Sequence, residues 1–157
     1  MFLSEIFPPE LIKIGLEAED KDEVFEEMVD HVCHVKKLNT RKKILEALWE
    51  RESKMSTGIQ KGIAIPHVKT GALENIYGVL GVSKKGIDYD ALDGQPVYLV
   101  FMLLAPQADA ENQLRLLKRL AGLLDNSEFF TDILAQNSSH SVSGVLKKYE
   151  DLYITSE

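Results

Sequence analysis

Cysteine is nearly absent from this chain of 157 residues. Cys33 stands alone, so no internal disulfide can form, and it is expected as a small core residue. One thiol with four scattered histidines also gives none of the paired spacings of a structural zinc site. Long apolar runs are missing as well. The longest, Val97 to Ala105, is too short to span a bilayer. The stretch from Met1 to Leu16 contains Glu5 and Glu10 and lacks a basic start, so neither a targeting segment nor membrane insertion is expected, and the protein reads as cytoplasmic. Positive charge is in deficit: 18 Lys and Arg against 25 Asp and Glu leave a net charge of −7. That balance excludes a nucleic-acid footprint, which needs Lys and Arg clustered on one face, and suits a basic protein partner better. No Gly-x-x-x-x-Gly-Lys loop and no His-Glu-x-x-His pair occurs, so no nucleotide or other cofactor is called for.

What is present is a globular composition, 45% hydrophobic and 27% charged. A chain of this length makes one domain, residues 1–157, that buries roughly two-thirds or more of its unfolded surface. Leu3 to Ile14, with Pro8-Pro9, reads as an extended or turn segment. Asp20 followed by Glu23 opens a helix from about Lys21 to Lys37, with Phe25, Met28, Val29, Val32 and Val35 at helical spacing. On it His31 and His34, one turn beyond Glu27 and Asp30, can assemble a metal site or simply form a solvated face. Thr40 is expected to cap a second helix, ending near Glu52, with Arg51 in its last turn. Tyr77 to Ser83 reads as a strand whose glycines admit a neighbouring backbone. Lys84-Lys-Gly86 is then expected to turn the chain, Ile87 to Asp90 to form a short edge segment, and Asp93-Gly94 a tight hairpin turn.

Val97 to Ala105 is apolar on both parities, the pattern of a central strand covered on both faces. After the Gln107 to Glu111 loop, a helix is expected to bury Leu114, Leu117, Leu120, Ala121 and Leu124. Ser127 and Ser141 are expected to start two further helices. Helices flanking strands predict an α/β fold: a single layered domain with a mixed β-sheet.

The most chemically loaded stretch runs from Arg51 to Lys69. It gathers Arg51, Ser53, Ser56, Thr57, Gly58, Gly62 and His67, with an apolar run from Ile63 to Ile65 ahead of Pro66. Proline fixes its own φ and lacks an N–H, so a strand here should finish at Pro66, turn outward and leave His67 on a rim. On strand parity Ile63, Ile65 and His67 share a face, so one edge of the imidazole should be held by the protein and the other open. A histidine so placed serves as base, ligand or nucleophile, or as a structural strand-end residue. Arg51 either compensates the helix C-terminus or aims its guanidinium at His67 across the Ser56-Thr57-Gly58 loop.

The segment Thr57-Gly-Ile-Gln-Lys-Gly-Ile-Ala-Ile-Pro-His67, preceded by Arg51-Glu52, resembles the signature of the mannitol/fructose type IIA domains of the bacterial phosphotransferase system, a group that includes the nitrogen-regulatory IIA proteins. The similarity continues through Asp90 to Val97, the strand ending Leu103-Leu-Ala-Pro106, and the helix beyond. The resemblance implies that His67 takes a phosphoryl group from HPr or an HPr-like phosphocarrier and passes it to a IIB domain or signals with it to a regulated target. It implies that Arg51 grips phosphoryl oxygens, with Thr57 and its loop adding donors. Where such domains commonly carry a second active-site histidine followed by leucine, this chain has Gln113-Leu114; an amide can donate to a phosphoryl oxygen but cannot carry charge. That departure, with the absence of a fused transfer domain, favours a regulatory role over sugar transport. The rivals from other classes are a metal-dependent hydrolase using His67 with His31, His34 or His140, and an adaptor that is never phosphorylated.

Overall fold

The computed structural model describes residues 1–156, the side chain of Gln60 excepted. Its centre is one mixed six-stranded sheet. A short helix α1 (Leu3–Ile6) and a 3-10 turn (Pro9–Leu11) precede strand β1 (Ile12–Ile14), so the N-terminal segment is more structured than its prolines suggest. Helices α2 (Lys21–Lys36) and α3 (Arg41–Lys54) follow, then the short strands β2 (Gly58–Gln60), β3 (Ile63–Ala64) and β4 (His67–Thr70). The long strands β5 (Tyr77–Ile87) and β6 (Val97–Pro106) lead into α4 (Ala110–Leu124), α5 (Ser127–Leu134) and α6 (Ser139–Thr155). The strand order is β1-β5-β6-β3-β2, with β4 also paired to β6.

β6 is the central strand its composition predicts. Val100, Met102 and Leu104 enter one apolar cluster with α2 and α3, while Leu99, Phe101 and Leu103 enter a second with α4, α5 and α6. Alternate side chains thus seat a helical layer on each face, the expected α/β sandwich. α2 begins as predicted: the Asp20 carboxylate accepts the N–H of Glu23, a cap worth about 0.5–2 kcal/mol.

Several local expectations are corrected. β5 does not turn at Lys84-Lys85; it bulges between Val82 and Ile87, with the Gly86 N–H donating to Ser83 Oγ, and runs on to pair Ile87 with Val97. The hairpin connection to β6 is therefore long, and Asp93-Gly94 is only its tip. The glycines of β5 admit side chains rather than backbone, Phe7 over Gly78 and Leu16 over Gly81. Thr40 precedes α3 without capping it, because its hydroxyl donates to the Ala72 carbonyl. Asn126 and Ser138, one and three residues before the predicted starts, cap α5 and α6. On α4 the buried row is Gln113, Leu116, Leu120 and Leu123, while Leu114 and Ala121 of the expected stripe are exposed.

Candidate functional site

His67 does not terminate a strand. β3 and β4 pair with β6 in one continuous register, Ile63 opposite Leu99 and His67 opposite Leu103, so they form a single line interrupted at Ile65-Pro66. The interruption has a local cause. Ile65 sends its N–H to the Thr57 carbonyl (2.9 Å) and Pro66 has none to send, while the Pro66 carbonyl still accepts from Leu103 (2.9 Å). The chain therefore does not turn outward at the proline; it resumes pairing, and His67 opens β4.

The two glycines of the motif make this approach possible. Lys61 and Gly62 both have positive φ, the requirement of a two-residue type I′ hairpin, and they turn β2 back into β3. At Gly58 a Cβ would lie 2.8 Å from both Ala91 and the Tyr89 ring, so only glycine lets β2 lie against that loop.

β4 borders an open cavity of about 650 Å³ between α3 from one helical layer and α4 from the other. His67 and Lys69 come from the strand, Glu50, Arg51 and Lys54 from the last turns of α3, and Gln113, Leu114 and Leu117 from α4. Arg51, expected to face His67, lines the same cavity, its Nη1 donating to the Met55 carbonyl (3.2 Å) at the end of its own helix. Three cations against one carboxylate make this a receptacle for an anionic group.

The imidazole is half-buried, and its Nδ1 lies 2.8 Å from the Ile65 carbonyl. A carbonyl only accepts, so Nδ1 carries the proton and Nε2 keeps its lone pair. One edge is held, and among the described residues the other has no hydrogen-bond partner, as parity suggested. Burial lowers the His67 pKa below that of ordinary imidazole; the Ile65 bond opposes this, and the Arg51 guanidinium adds to it. The ring is thus neutral and nucleophilic at pH 7.

Gln113 is buried, not an exposed first-turn residue. Its Nε2 donates to the Val68 carbonyl (2.8 Å) and, more weakly, to that of Leu103 (3.4 Å). The amide hydrogens thus go to the backbone carbonyls of β4 and β6, while the side chain lines the cavity. Thr57 is engaged by protein groups. It is buried and outside the cavity, its Oγ1 donating to Glu52 Oε1 (2.6 Å) and meeting the Tyr89 hydroxyl at 2.8 Å, its N–H donating to Glu52 Oε2 (2.8 Å).

Glu52, Lys54 and Lys69 are residues of this region to which the sequence alone gives no role. Spacing offered a signal for the last two, since Lys54 follows Arg51 by three on a helix and Lys69 follows His67 by two on a strand. The α2 cluster disperses. His31 Nε2 lies 2.9 Å from the Glu10 carbonyl, Glu27 accepts from the Ala18 N–H and pairs with Lys13, and Asp30 pairs with Arg41. Among the described residues no three His, Cys, Asp or Glu side chains are grouped to hold a metal, and no helix is long and apolar enough to cross a membrane.

Comparison with known proteins supplies an independent line. The sequence model of the family described as "Phosphoenolpyruvate-dependent sugar phosphotransferase system, EIIA 2" matches residues 5–149. A fructose-specific EIIABC component from Bacillus subtilis is 38% identical over 96% of this chain, which spans only 24% of that protein. A nitrogen regulatory protein from Bradyrhizobium diazoefficiens is 32% identical over 93% of this chain and 95% of its own length. Among solved structures, the nitrogen regulatory protein IIA-Ntr of Neisseria meningitidis superposes with a TM-score of 0.84 at 29% identity, covering 92% of this chain and 98% of that one.

Proposed function

The chain belongs to the phosphoenolpyruvate-dependent sugar phosphotransferase system EIIA 2 family, and on that premise we propose that it accepts a phosphoryl group on Nε2 of His67 from an HPr-like phosphocarrier. The observation that carries this reading is the Nδ1 contact with the Ile65 carbonyl, which leaves a neutral Nε2 beside a cationic cavity. In the step, the Nε2 lone pair forms the new N–P bond as the carrier's N–P bond breaks and its imidazole recovers the electron pair. The proton stays on Nδ1, where the Ile65 carbonyl stabilises the positive charge that grows on the ring. Arg51, with Lys54 and Lys69, offsets the charge on the transferring oxygens. No cofactor is needed for such a displacement.

Of the two destinations for the group, regulation is favoured by Gln113, whose committed amide can neither carry charge nor relay a proton during rapid onward transfer. Transport, by delivery to a IIB cysteine, is favoured by the higher identity to the fructose-specific relative. The test is incubation with a phosphorylated carrier followed by intact-mass analysis. One acid-labile phosphoryl group is expected, absent from His67→Ala. Label that persists in that variant sinks the assignment, and a native protein that takes no label at all is an adaptor. Rapid passage of the label to a fructose- or mannitol-type IIB makes transport the better reading.

A further inference from the structure

The buried carboxylate of Glu52 joins the two halves of the site. Both of its oxygens are used. Oε2 accepts the Thr57 N–H (2.8 Å) and faces Lys21 Nζ at 3.1 Å; Oε1 accepts the Thr57 hydroxyl (2.6 Å) and has the Tyr89 hydroxyl at 3.5 Å. Since the single Thr57 hydroxyl hydrogen goes to Glu52, Tyr89 donates to Thr57 Oγ1. Lys21 also lies over the Tyr89 ring, 4.9 Å from its centroid. Four polar groups on three residues, from α2 and two loops, thus surround the one carboxylate of α3, with no buried side-chain polar atom left unpaired among the described residues.

From this centre one continuous hydrogen-bonded path reaches His67, and a backbone turn closed by the same carboxylate reaches Arg51. Along the path, Glu52 holds Thr57, the Thr57 carbonyl accepts the Ile65 N–H (2.9 Å), and the Ile65 carbonyl accepts the His67 Nδ1–H (2.8 Å). The turn is shorter. Glu52 and Thr57 close the turn that leaves α3, and the Met55 carbonyl inside that turn holds Arg51 Nη1 (3.2 Å). A carboxylate is the one side chain that can accept both the N–H and the hydroxyl of Thr57 while matching the charge of Lys21.

We infer that Glu52 is a positioning residue for phosphoryl transfer: through Thr57 and Ile65 it fixes the Nδ1–H tautomer of His67, and through the Met55 turn it fixes the Arg51 guanidinium against the same cavity. This rests on the reading of His67 as phosphoryl acceptor, and it adds a requirement that the family motif by itself does not state. A bulk structural role would lower stability without touching the imidazole. A positioning role moves the tautomer, because an imidazole released from the Ile65 carbonyl exchanges its proton between the two nitrogens and loses nucleophilic Nε2 in proportion.

The experiment uses the full chain as Glu52→Gln, Thr57→Val and Thr57→Ser, with two readouts. Long-range proton–nitrogen NMR of His67 reports the tautomer without any carrier present, and phosphoryl acceptance from a phosphorylated HPr-like carrier reports kcat and KM. In Glu52→Gln an Nε2–H population appears and kcat falls at least tenfold with KM for the carrier unchanged. Thr57→Val, which keeps the backbone N–H bond to Glu52, moves both readouts in the same direction by less, and Thr57→Ser restores them. A variant with a lowered melting temperature but native tautomer and native kcat overturns the inference. Should Glu52→Gln fail to fold, the Thr57 pair decides alone. If the native protein accepts no phosphoryl group, the proposed function fails, and the tautomer measurement still confirms or overturns the path from Glu52 to His67.

Discussion

Replacing Gln113 with methionine tests whether this residue is a strut for β4 or a donor to the phosphoryl group. Methionine has nearly the same length and volume, so the buried row of α4 stays filled while both amide hydrogens disappear. The Val68 carbonyl then loses a donor at 2.8 Å, and the 3.4 Å contact to Leu103 adds little. The Val68 carbonyl keeps its place in the β4–β6 ladder, so what is lost is one neutral hydrogen bond, worth about 0.5–1.5 kcal/mol net. At roughly 2–4 °C per kcal/mol for a chain of this size, the melting temperature should fall by about 1–6 °C. Because the amide donates to backbone carbonyls, the rate of phosphoryl acceptance should fall by less than about tenfold, the equivalent of 1.4 kcal/mol. Thermal unfolding by circular dichroism and single-turnover labelling measure the two quantities on one preparation. An unchanged melting temperature with a rate lost by about a hundredfold refutes the reasoning, since it means that the amide serves the phosphoryl group instead of the strand.

Arg51→Ala should slow acceptance by about 10²–10³, as removal of a charge-stabilising donor does, while costing the helix end no more than about 1 kcal/mol; an unchanged rate with a stability loss would mean that Arg51 only caps α3. Because burial, aided by Arg51, holds the His67 pKa below the unfolded value of about 6.5, acceptance should remain at its plateau below pH 6.5 and decline only as pH falls through the depressed folded pKa. The same shift lowers stability in that window, since the unfolded state binds the proton first; NMR titration of the ring with denaturation at several pH values checks both, and a midpoint above 6.5 contradicts the site geometry. Gln113→His keeps one N–H for the Val68 carbonyl and turns a second ring nitrogen to the cavity, so it should speed onward transfer to a IIB domain, measured by label transfer on a quench-flow timescale; no gain removes Gln113 as the reason for a regulatory reading.

The sequence made some of this legible for definite reasons. β6 is apolar on both parities because both faces carry helices, and α2 announces itself because Asp20 and the Phe25-Met28-Val29-Val32-Val35 spacing agree. α4 was misread because leucines fill two adjacent rows, 116-120-123 and 117-124, and the polar Gln113 in the first row made the exposed Leu114 look like the inward residue. Pro66 was read as a terminus, since nothing local says that Ile65 gives its N–H to Thr57 and that pairing then resumes in register. Thr57 and Gln113 take their phosphoryl roles from the family resemblance alone. Their partners, Glu52 and the Val68 carbonyl, are tertiary neighbours that one-dimensional spacing does not report.

Net charge shows why a whole-chain quantity misplaces a local one. At −7 the molecule repels anions at long range, and that balance suggested a basic partner. The cavity beside His67 has the opposite balance, Arg51, Lys54 and Lys69 against Glu50. At physiological salt charges are screened beyond about 8 Å, so an approaching carrier feels the overall acidity only weakly and the group being transferred feels the cavity alone. The two signs then divide the work: the acidic exterior bears on which carrier surface is tolerated during encounter, and the cationic pocket bears on the transferring oxygens once contact is made. On this account raising the salt concentration above the physiological level changes encounter little, while a charge change at Lys54 or Lys69 acts on transfer within the docked complex.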